Sequence, residues 1–315
     1  MAHKADSSFF DTKREWSKQK DRHIEYYLPP YLEHVKRLRR PILLVDAFAG
    51  PGSYGDGQEG SPIIFCKAAQ RACGRGIDVS VKCIEMDPPL FDTLRKNLSA
   101  YHFAEAIPGS CEEHVDRIAE WTNNHTVFVY FDPFRPTQLK WKTLYDICSL
   151  ADDDHSVETL INFHAPILGR WARLCLKKSP PPLNPADEDT EDIEDILESV
   201  SSATGPDEVL GGSWWRDCFD SDIPFSSQVY DLAENFRRRL MGSIKEVCYT
   251  DVKVSAHHSI PKYFMVFGTR NYHGLRLMND SMATARKKIQ YSDDLEVVAK
   301  MKTVLCSVIP TCRKG

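Results

Sequence analysis

The stretch at residues 41–62 reads PILLVDAFAGPGSYGDGQEGSP, and it sets the class of fold. It opens with PILLVDAF (41–48), a long apolar run that contains the acid Asp46 near its end. Such runs are typical of parallel strands, which helices cover on both faces. A glycine-rich loop follows, and Ser61 and Pro62 then give a common helix start. The pattern predicts a strand, a tight loop and a helix in succession.

The same alternation of apolar runs and helical patterns continues along the chain. Further predicted strands lie at 78–85, 105–108, 126–132 and 157–164. Two later runs, 246–255 and 262–269, are joined by a short polar connection and predict a hairpin. Strands that alternate with helices indicate an α/β fold with a mostly parallel sheet and helices on both of its faces.

The chain divides into three parts by composition. They are a basic helical N-terminal extension (1–40), an α/β domain (41–178 and 226–315) and an acidic, tryptophan-containing insertion (179–225). Within the extension, Pro29 and Pro30 predict two short helices or one kinked helix. Within the insertion, the acidic run 187–198 predicts a solvated segment.

Composition limits the classes of protein to which the chain can belong. Its 315 residues are 42% hydrophobic and 27% charged, which suits a globular protein. The net charge of −5 gives no overall positive field that would attract a nucleic acid or a membrane. No apolar run approaches the ~20 residues of a membrane span, so we expect a cytoplasmic protein. The ten cysteines form no CxxC pair, so no metal site is predicted.

Acidic residues mark the end of three predicted strands, where ligands bind in open α/β sheets. These residues are Asp46, Glu85 and Asp132. The loop with Gly50 and Gly52 lets the backbone approach a ligand closely, but it does not complete the G-x-G-x-x-G pattern of dinucleotide folds. Its acids would repel a pyrophosphate and attract a sulfonium. The sequence therefore favours S-adenosylmethionine over a dinucleotide.

Several other residues are candidates for ligand contacts. Glu85 is placed to accept hydrogen bonds from ribose hydroxyls, and Ser110 is placed near an adenine edge. His164 ends a predicted strand and is either a proton acceptor or a buried histidine at the sheet edge. Trp214 and Trp215 either stack on a substrate base or anchor their loop to the core.

Motifs spread along nearly the whole chain resemble those of the three-Cys-motif partner proteins. The motifs are FFDTKREWSKQK (9–20), YYLPPYL (26–32), DAFAGPGSYGDGQEGSP (46–62), IEMDP (84–88), YFDPF (130–134), LGGSWW (210–215) and LMNDSM (277–282). The resemblance implies a Rossmann-like fold similar to class I S-adenosylmethionine-dependent methyltransferases, whose sheet has an antiparallel last strand. It also implies a partner protein with a three-cysteine motif, often similar to radical-S-adenosylmethionine proteins.

The resemblance also implies roles for individual residues. Around the amino-acid part of the cofactor it places Asp46, Phe48, Gly50 and Gly52, and on the ribose it places Glu85. It puts Asp132, Pro133 and Phe134 where amino-methyltransferases carry their [DNS]-P-P-[YF] tetrapeptide, although this chain has one proline rather than two. Asp132 would then contact both cofactor and acceptor, and Asp132 and Phe134 would be catalytic. In the basic extension, Lys20 is the candidate for substrate binding.

These observations predict a methyltransferase that uses S-adenosylmethionine. The FDPF motif and the basic N-terminus favour a nucleic-acid base or nucleotide as the methyl acceptor. The net acidity favours a small molecule or a peptide instead. A third alternative is a non-catalytic accessory protein that acts with the three-Cys-motif partner.

Overall fold

The computed structural model describes residues 10–179, 205–219, 223–253 and 258–287. In these residues seven strands form one sheet, in the order β3-β2-β1-β4-β5-β7-β6. The strands are β1 (Ile42–Asp46), β2 (Val79–Glu85), β3 (Ala104–Pro108), β4 (Thr126–Phe131), β5 (Val157–Phe163), β6 (Glu246–Val252) and β7 (Tyr263–Thr269). Strands β1 to β5 are parallel, and β7 runs antiparallel to both β5 and β6.

Helices cover both faces of the sheet. They are α1 (Glu15–Val35), α2 (Ser61–Cys73), α3 (Pro88–Leu98), α4 (Val115–Thr122), α5 (Trp141–Cys148), α6 (Ala165–Cys175), α7 (Phe225–Leu240) and α8 (272–287). Helices α1, α2, α3 and α8 pack in one hydrophobic cluster, and α4 to α7 pack in the other. Strand β1 contributes side chains to both clusters, because successive side chains of a strand point to opposite faces of the sheet. Ile42 and Leu44 belong to the first cluster, and Leu43 and Val45 belong to the second.

The strand order and directions are those of a Rossmann-like class I methyltransferase sheet, so the predicted fold class is confirmed. The predicted hairpin is present, with β6 and β7 as neighbours in the sheet. Each observed strand lies inside the predicted run except β3, which begins one residue earlier, at Ala104. The sheet is buried on both faces at β1, β4 and β5, which explains why these strands read as unbroken apolar runs.

The apolar part of the N-terminal extension forms one α-helix rather than two short ones. Helix α1 has 21 residues and contains both Pro29 and Pro30. Its apolar face, with Tyr27, Leu28 and Tyr31, is almost completely buried. This tertiary packing offsets the backbone hydrogen bonds that the two prolines cannot donate.

The acidic run 187–198 lies outside the described residues, and the division into domains stays a prediction. None of the helices in the described part of the chain combines the length and the apolar character that crossing a bilayer requires. Within the same residues, no group of three or more His, Cys, Asp or Glu side chains is placed to hold a metal ion.

Candidate active site

A cavity of about 500 Å³ opens at the carboxyl ends of β1, β2, β4 and β5. Strand β1 lies between β2 and β4, so the strand order reverses at this point of the sheet. Open α/β sheets bind ligands beside such a reversal, at the carboxyl ends of the strands. The predicted site residues that line it are Lys20, Phe48, Gly50, Gly52, Glu85, Ser110, Asp132, Pro133, Phe134 and His164.

The glycine-rich loop forms one wall of this cavity. Gly50 and Gly52 have φ angles of +61° and +82°, which side chains with a Cβ rarely adopt. A Cβ on Gly52 would also lie 3.3 Å from the Leu94 side chain. Both glycines are therefore required by the backbone path that follows β1.

Glu85 ends β2 beside this loop and is 8% exposed. Its Oε2 accepts a hydrogen bond from the Gly50 amide at 2.8 Å, and its Oε1 accepts one from the Asp87 amide at 2.7 Å. Burial raises the pKa of Glu85, while these two amides act in the opposite direction. A carboxylate offers about four acceptor positions, more than the neighbouring backbone amides use, so the side chain can still receive ribose hydroxyls.

Asp46 lies behind the glycine loop and is not among the residues that line the cavity in the described part of the chain. It is 0% exposed, and its Oδ1 accepts a hydrogen bond from the Phe48 amide at 3.3 Å. Burial raises the pKa of Asp46 to about 7, against the nearby Ser61 hydroxyl, which favours the charged form. The structure thus places Asp46 where it holds the turn, rather than at the cavity surface.

At the other end of the cavity, Asp132 is held by two donors from different elements. Lys20 Nζ, from α1, forms an ion pair with Asp132 Oδ2, and Asn162 Nδ2 donates to Asp132 Oδ1 at 2.7 Å. Burial by itself lowers the pKa of Lys20, but the attraction of Asp132 and Asp21 outweighs it and raises that pKa. Lys20 therefore stays charged, and both oxygens of Asp132 are already occupied by protein donors.

His164 follows β5 and faces the same end of the cavity. Burial lowers the pKa of His164 to about 4, against the attraction of Asp132, so the imidazole is neutral at pH 7. Its Nε2 atom is buried and has no hydrogen-bond partner among the described residues. The Tyr263 ring packs 6.2 Å away, centroid to centroid.

An aromatic cluster covers the cavity from the N-terminal side. The Phe10 ring lies 5.9 Å from Tyr54 and 6.5 Å from Phe134, centroid to centroid. The Phe10 carbonyl accepts a hydrogen bond from the Gly55 amide at 2.7 Å, which fixes the segment before α1 across the glycine loop. Sequence reasoning missed Phe10, Tyr54 and Tyr263 as lining residues, although the Phe9-Phe10 pair was an available signal.

Trp214 and Trp215 lie elsewhere in the described structure and do not line the cavity. Trp215 is 0% exposed in the core, and its Nε1 donates to Asp207 Oδ1 at 2.6 Å. Trp214 Nε1 donates to the Leu210 carbonyl at 2.7 Å, and the Arg239 guanidinium lies 5.4 Å from the Trp214 ring. Both side chains anchor their loop to the rest of the protein, which was the alternative to base stacking.

Comparison with known proteins adds resemblance at the level of structure alone. No family model and no curated protein matches this sequence. A protein from Legionella pneumophila strain Philadelphia 1 is 9% identical, with 87% of this chain and 92% of that chain covered and a TM-score of 0.46. A putative caffeoyl-CoA O-methyltransferase from Staphylococcus aureus is 10% identical, with 77% and 82% covered and a TM-score of 0.38.

The plantazolicin methyltransferase, solved with a triazolic desmethylPZN analogue and S-adenosylhomocysteine, is 13% identical. The alignment covers 84% of this chain and 90% of that chain, with a TM-score of 0.36. The fold assignment rests on the strand order and directions of this chain, not on these likenesses.

Proposed function

We propose that this protein is an S-adenosylmethionine-dependent methyltransferase. The observation that carries the proposal is the position of Glu85 at the end of β2, tied by the Gly50 amide to the loop that follows β1. A carboxylate at this point, next to a loop of glycines in a cavity of about 500 Å³, suits an adenosine ribose.

Other residues of the cavity lining suit the amino-acid and adenine parts of the cofactor. Phe48, Gly50 and Gly52 would hold the amino-acid part, and Ser110 would lie near the adenine edge. The loop offers close backbone approach and no cation that would repel a sulfonium. When bound, S-adenosylmethionine supplies an electrophilic methyl group. The chain itself contributes orientation of the two reactants and exclusion of water.

The methyl acceptor is the second part of the proposal. Phe134 and Phe10 bring aromatic rings to the end of the cavity at which Asp132 lies, which we take as the acceptor end, and Asp132 balances the charge of Lys20 there. The rings support a planar acceptor such as a nucleic-acid base or nucleotide. The three-Cys-motif partner, and the small-molecule and peptide alternatives, stay predictions from the sequence.

Calorimetry with S-adenosylmethionine and S-adenosylhomocysteine tests the cofactor. We expect Glu85→Ala to weaken binding by about 1–3 kcal/mol, because the ribose hydroxyls lose their acceptor. The matched control is Glu208→Ala, an exposed carboxylate that lies outside the cavity lining, and it should bind like the wild type. Equal affinity in the Glu85 and Glu208 variants would contradict the ribose assignment.

The acceptor class is tested with S-adenosylmethionine labelled in its methyl group and an extract of the source cells. Nucleic acid, protein and small molecules are then separated and counted. Label in the nucleic-acid or nucleotide fraction supports the proposed acceptor. Label confined to protein or to other small molecules overturns it, and absence of any transfer despite cofactor binding would favour an accessory role.

A further inference from the structure

Asp132 lines the acceptor end of the cavity, and each of its oxygens is already held by a protein donor. Its Oδ2 is paired with Lys20 and its Oδ1 accepts from Asn162 Nδ2 at 2.7 Å. These two contacts fix the orientation of the carboxylate relative to α1 and β5. The position of Asp132 is thus explained by what it holds in place.

Asn162 is the first side chain that Asp132 holds. A carboxylate only accepts hydrogen bonds, so the amide must turn its nitrogen towards Asp132 and its oxygen away. That oxygen, Asn162 Oδ1, is buried and has no hydrogen-bond partner among the residues that the structure describes. Asn162 is 2% exposed and lines the cavity. A buried acceptor atom without a partner costs free energy unless a bound ligand donates to it.

His164 offers a second such atom two residues further on. Its Nε2 is also buried and unpartnered within the described part of the chain. The charged and titratable groups around it come from three elements: Asp132 after β4, Lys20 from α1, and Lys262 and Tyr263 at the start of β7. The two lysines disfavour an imidazolium in the resting site, whereas Asp132 favours one. The lone pair on Nε2 of the neutral ring can take a proton, and the nearby Asp132 carboxylate offsets part of the burial and lysine effects that oppose the imidazolium.

We propose that Asn162 and His164 receive the methyl acceptor, with Asn162 Oδ1 orienting its N–H or O–H group and His164 Nε2 taking its proton. This rests on the proposed function. As the acceptor atom forms its bond to the methyl carbon, the bond from that carbon to sulfur breaks and S-adenosylhomocysteine leaves. The proton lost by the acceptor goes to His164 Nε2. Asp132 is a positioning residue that fixes the Asn162 amide and stabilises the imidazolium.

The first test needs neither cofactor nor acceptor. The full-length protein is labelled with ¹⁵N-histidine, and long-range ¹H–¹⁵N spectra are recorded at pH 7, with His164 assigned from its loss in His164→Gln. We expect Nε2 to be the bare, lone-pair nitrogen of a neutral ring. A hydrogen on Nε2 would overturn the proposal, because that atom could then accept no proton.

The second test uses the methyl-label assay with the cell extract. His164→Gln should lose about 100-fold or more in rate, while its affinity for S-adenosylhomocysteine stays unchanged. The matched control His102→Gln, an exposed histidine outside the cavity lining, should transfer label like the wild type. Transfer by His164→Gln within threefold of the wild type would overturn the proposal.

Two variants of Asp132 distinguish a positioning role from direct proton transfer to its carboxylate. Asp132→Asn still presents an oxygen to Asn162 Nδ2, so it should stay within about tenfold of the wild-type rate, whereas Asp132→Ala should lose about 100-fold. Equal losses in both variants would indicate that the Asp132 carboxylate itself takes the proton. If S-adenosylhomocysteine does not bind the wild type, the proposed function fails, and the His164 spectrum still reports on the proton acceptor.

Discussion

Lys20 and Asp132 are 112 residues apart in the sequence and form an ion pair at the carboxyl end of β4. The two side chains are only 8% and 15% exposed. Lys20 comes from α1 and Asp132 follows β4, so the pair fastens the N-terminal extension to the end of the cavity that Asn162 and His164 also line. The extension is thereby part of the site rather than an appendage to the domain.

Replacing one partner of this pair should destabilise the fold. Lys20→Met leaves the Asp132 charge partly buried without its cation, and we expect a loss of about 3 kcal/mol in the free energy of unfolding. The double variant with Asp132→Asn should lose less than Lys20→Met alone. Urea denaturation measures both values. The control is Lys36→Met, which breaks the exposed pair with Glu33 and should cost under about 1 kcal/mol. Equal costs for the two single lysine variants would contradict this prediction.

Glu158 should make stability depend on pH. It is buried under α1, where Tyr27 donates to Oε2 and Thr269 donates to Oε1, and burial raises the pKa of Glu158 from 4.5 to about 7. The folded state therefore holds this proton more tightly than the unfolded state. Its stabilising contribution is complete below about pH 4.5, falls as the pH rises towards 7 and changes no further above that.

We expect Glu158→Gln to remove this dependence, which amounts to about 3 kcal/mol. Urea unfolding of wild type and variant at pH 5 and pH 8 measures it. The free energy of unfolding of the variant, relative to that of the wild type, should be higher at pH 8 than at pH 5. Asp46, whose pKa is also raised by burial, affects both proteins equally and cancels in the comparison. A difference that is the same at both pH values would show that the Glu158 carboxyl titrates normally.

The segment that carries Phe10 should be sensitive to a methyl group on Gly55. A Cβ there would lie 2.9 Å from the Asp11 carbonyl oxygen, closer than real contacts allow. Gly55→Ala should displace the segment and the Phe10 ring, and weaken S-adenosylhomocysteine binding by about 1 kcal/mol, or fivefold. Calorimetry measures the change. Gly74→Ala is the control, because its Cβ makes only an ordinary 3.5 Å contact with Gln70. Unchanged affinity in Gly55→Ala would separate this segment from the cofactor site.

Alanine substitutions of the two adjacent tryptophans should lower the free energy of unfolding by different amounts and leave the affinity for S-adenosylhomocysteine unchanged. Trp215→Ala empties a fully buried position and should cost about 3–5 kcal/mol of unfolding free energy. Trp214→Ala removes a half-buried ring and should cost less. Neither lines the cavity, so S-adenosylhomocysteine affinity, measured by calorimetry on the folded protein, should not change in either. If the Trp214→Ala protein is folded but binds S-adenosylhomocysteine more weakly, then Trp214 contributes to ligand binding and this prediction is wrong.

The strands and most of the site follow from local sequence. Apolar runs such as ILLVD and TVFVYF predict buried parallel strands because a sheet covered on both faces excludes polar side chains. Parallel strands bring their carboxyl ends to one edge. The position of Glu85 and Asp132 at strand ends therefore predicts that they meet there, without any knowledge of the contacts between them.

The amino-acid sequence alone determined the α/β class, the glycine loop and the ends of the strands at which the cavity lies, because periodicity and turn chemistry are local properties. Only the tertiary structure decided that Asp46 lies behind the cavity wall, that Trp215 belongs to the core and that Lys20 forms an ion pair with Asp132. Burial and ion pairing depend on which distant segments pack together, and no spacing within one motif records that. The same packing decides which buried polar atoms, such as Asn162 Oδ1 and His164 Nε2, have no hydrogen-bond partner among the described residues.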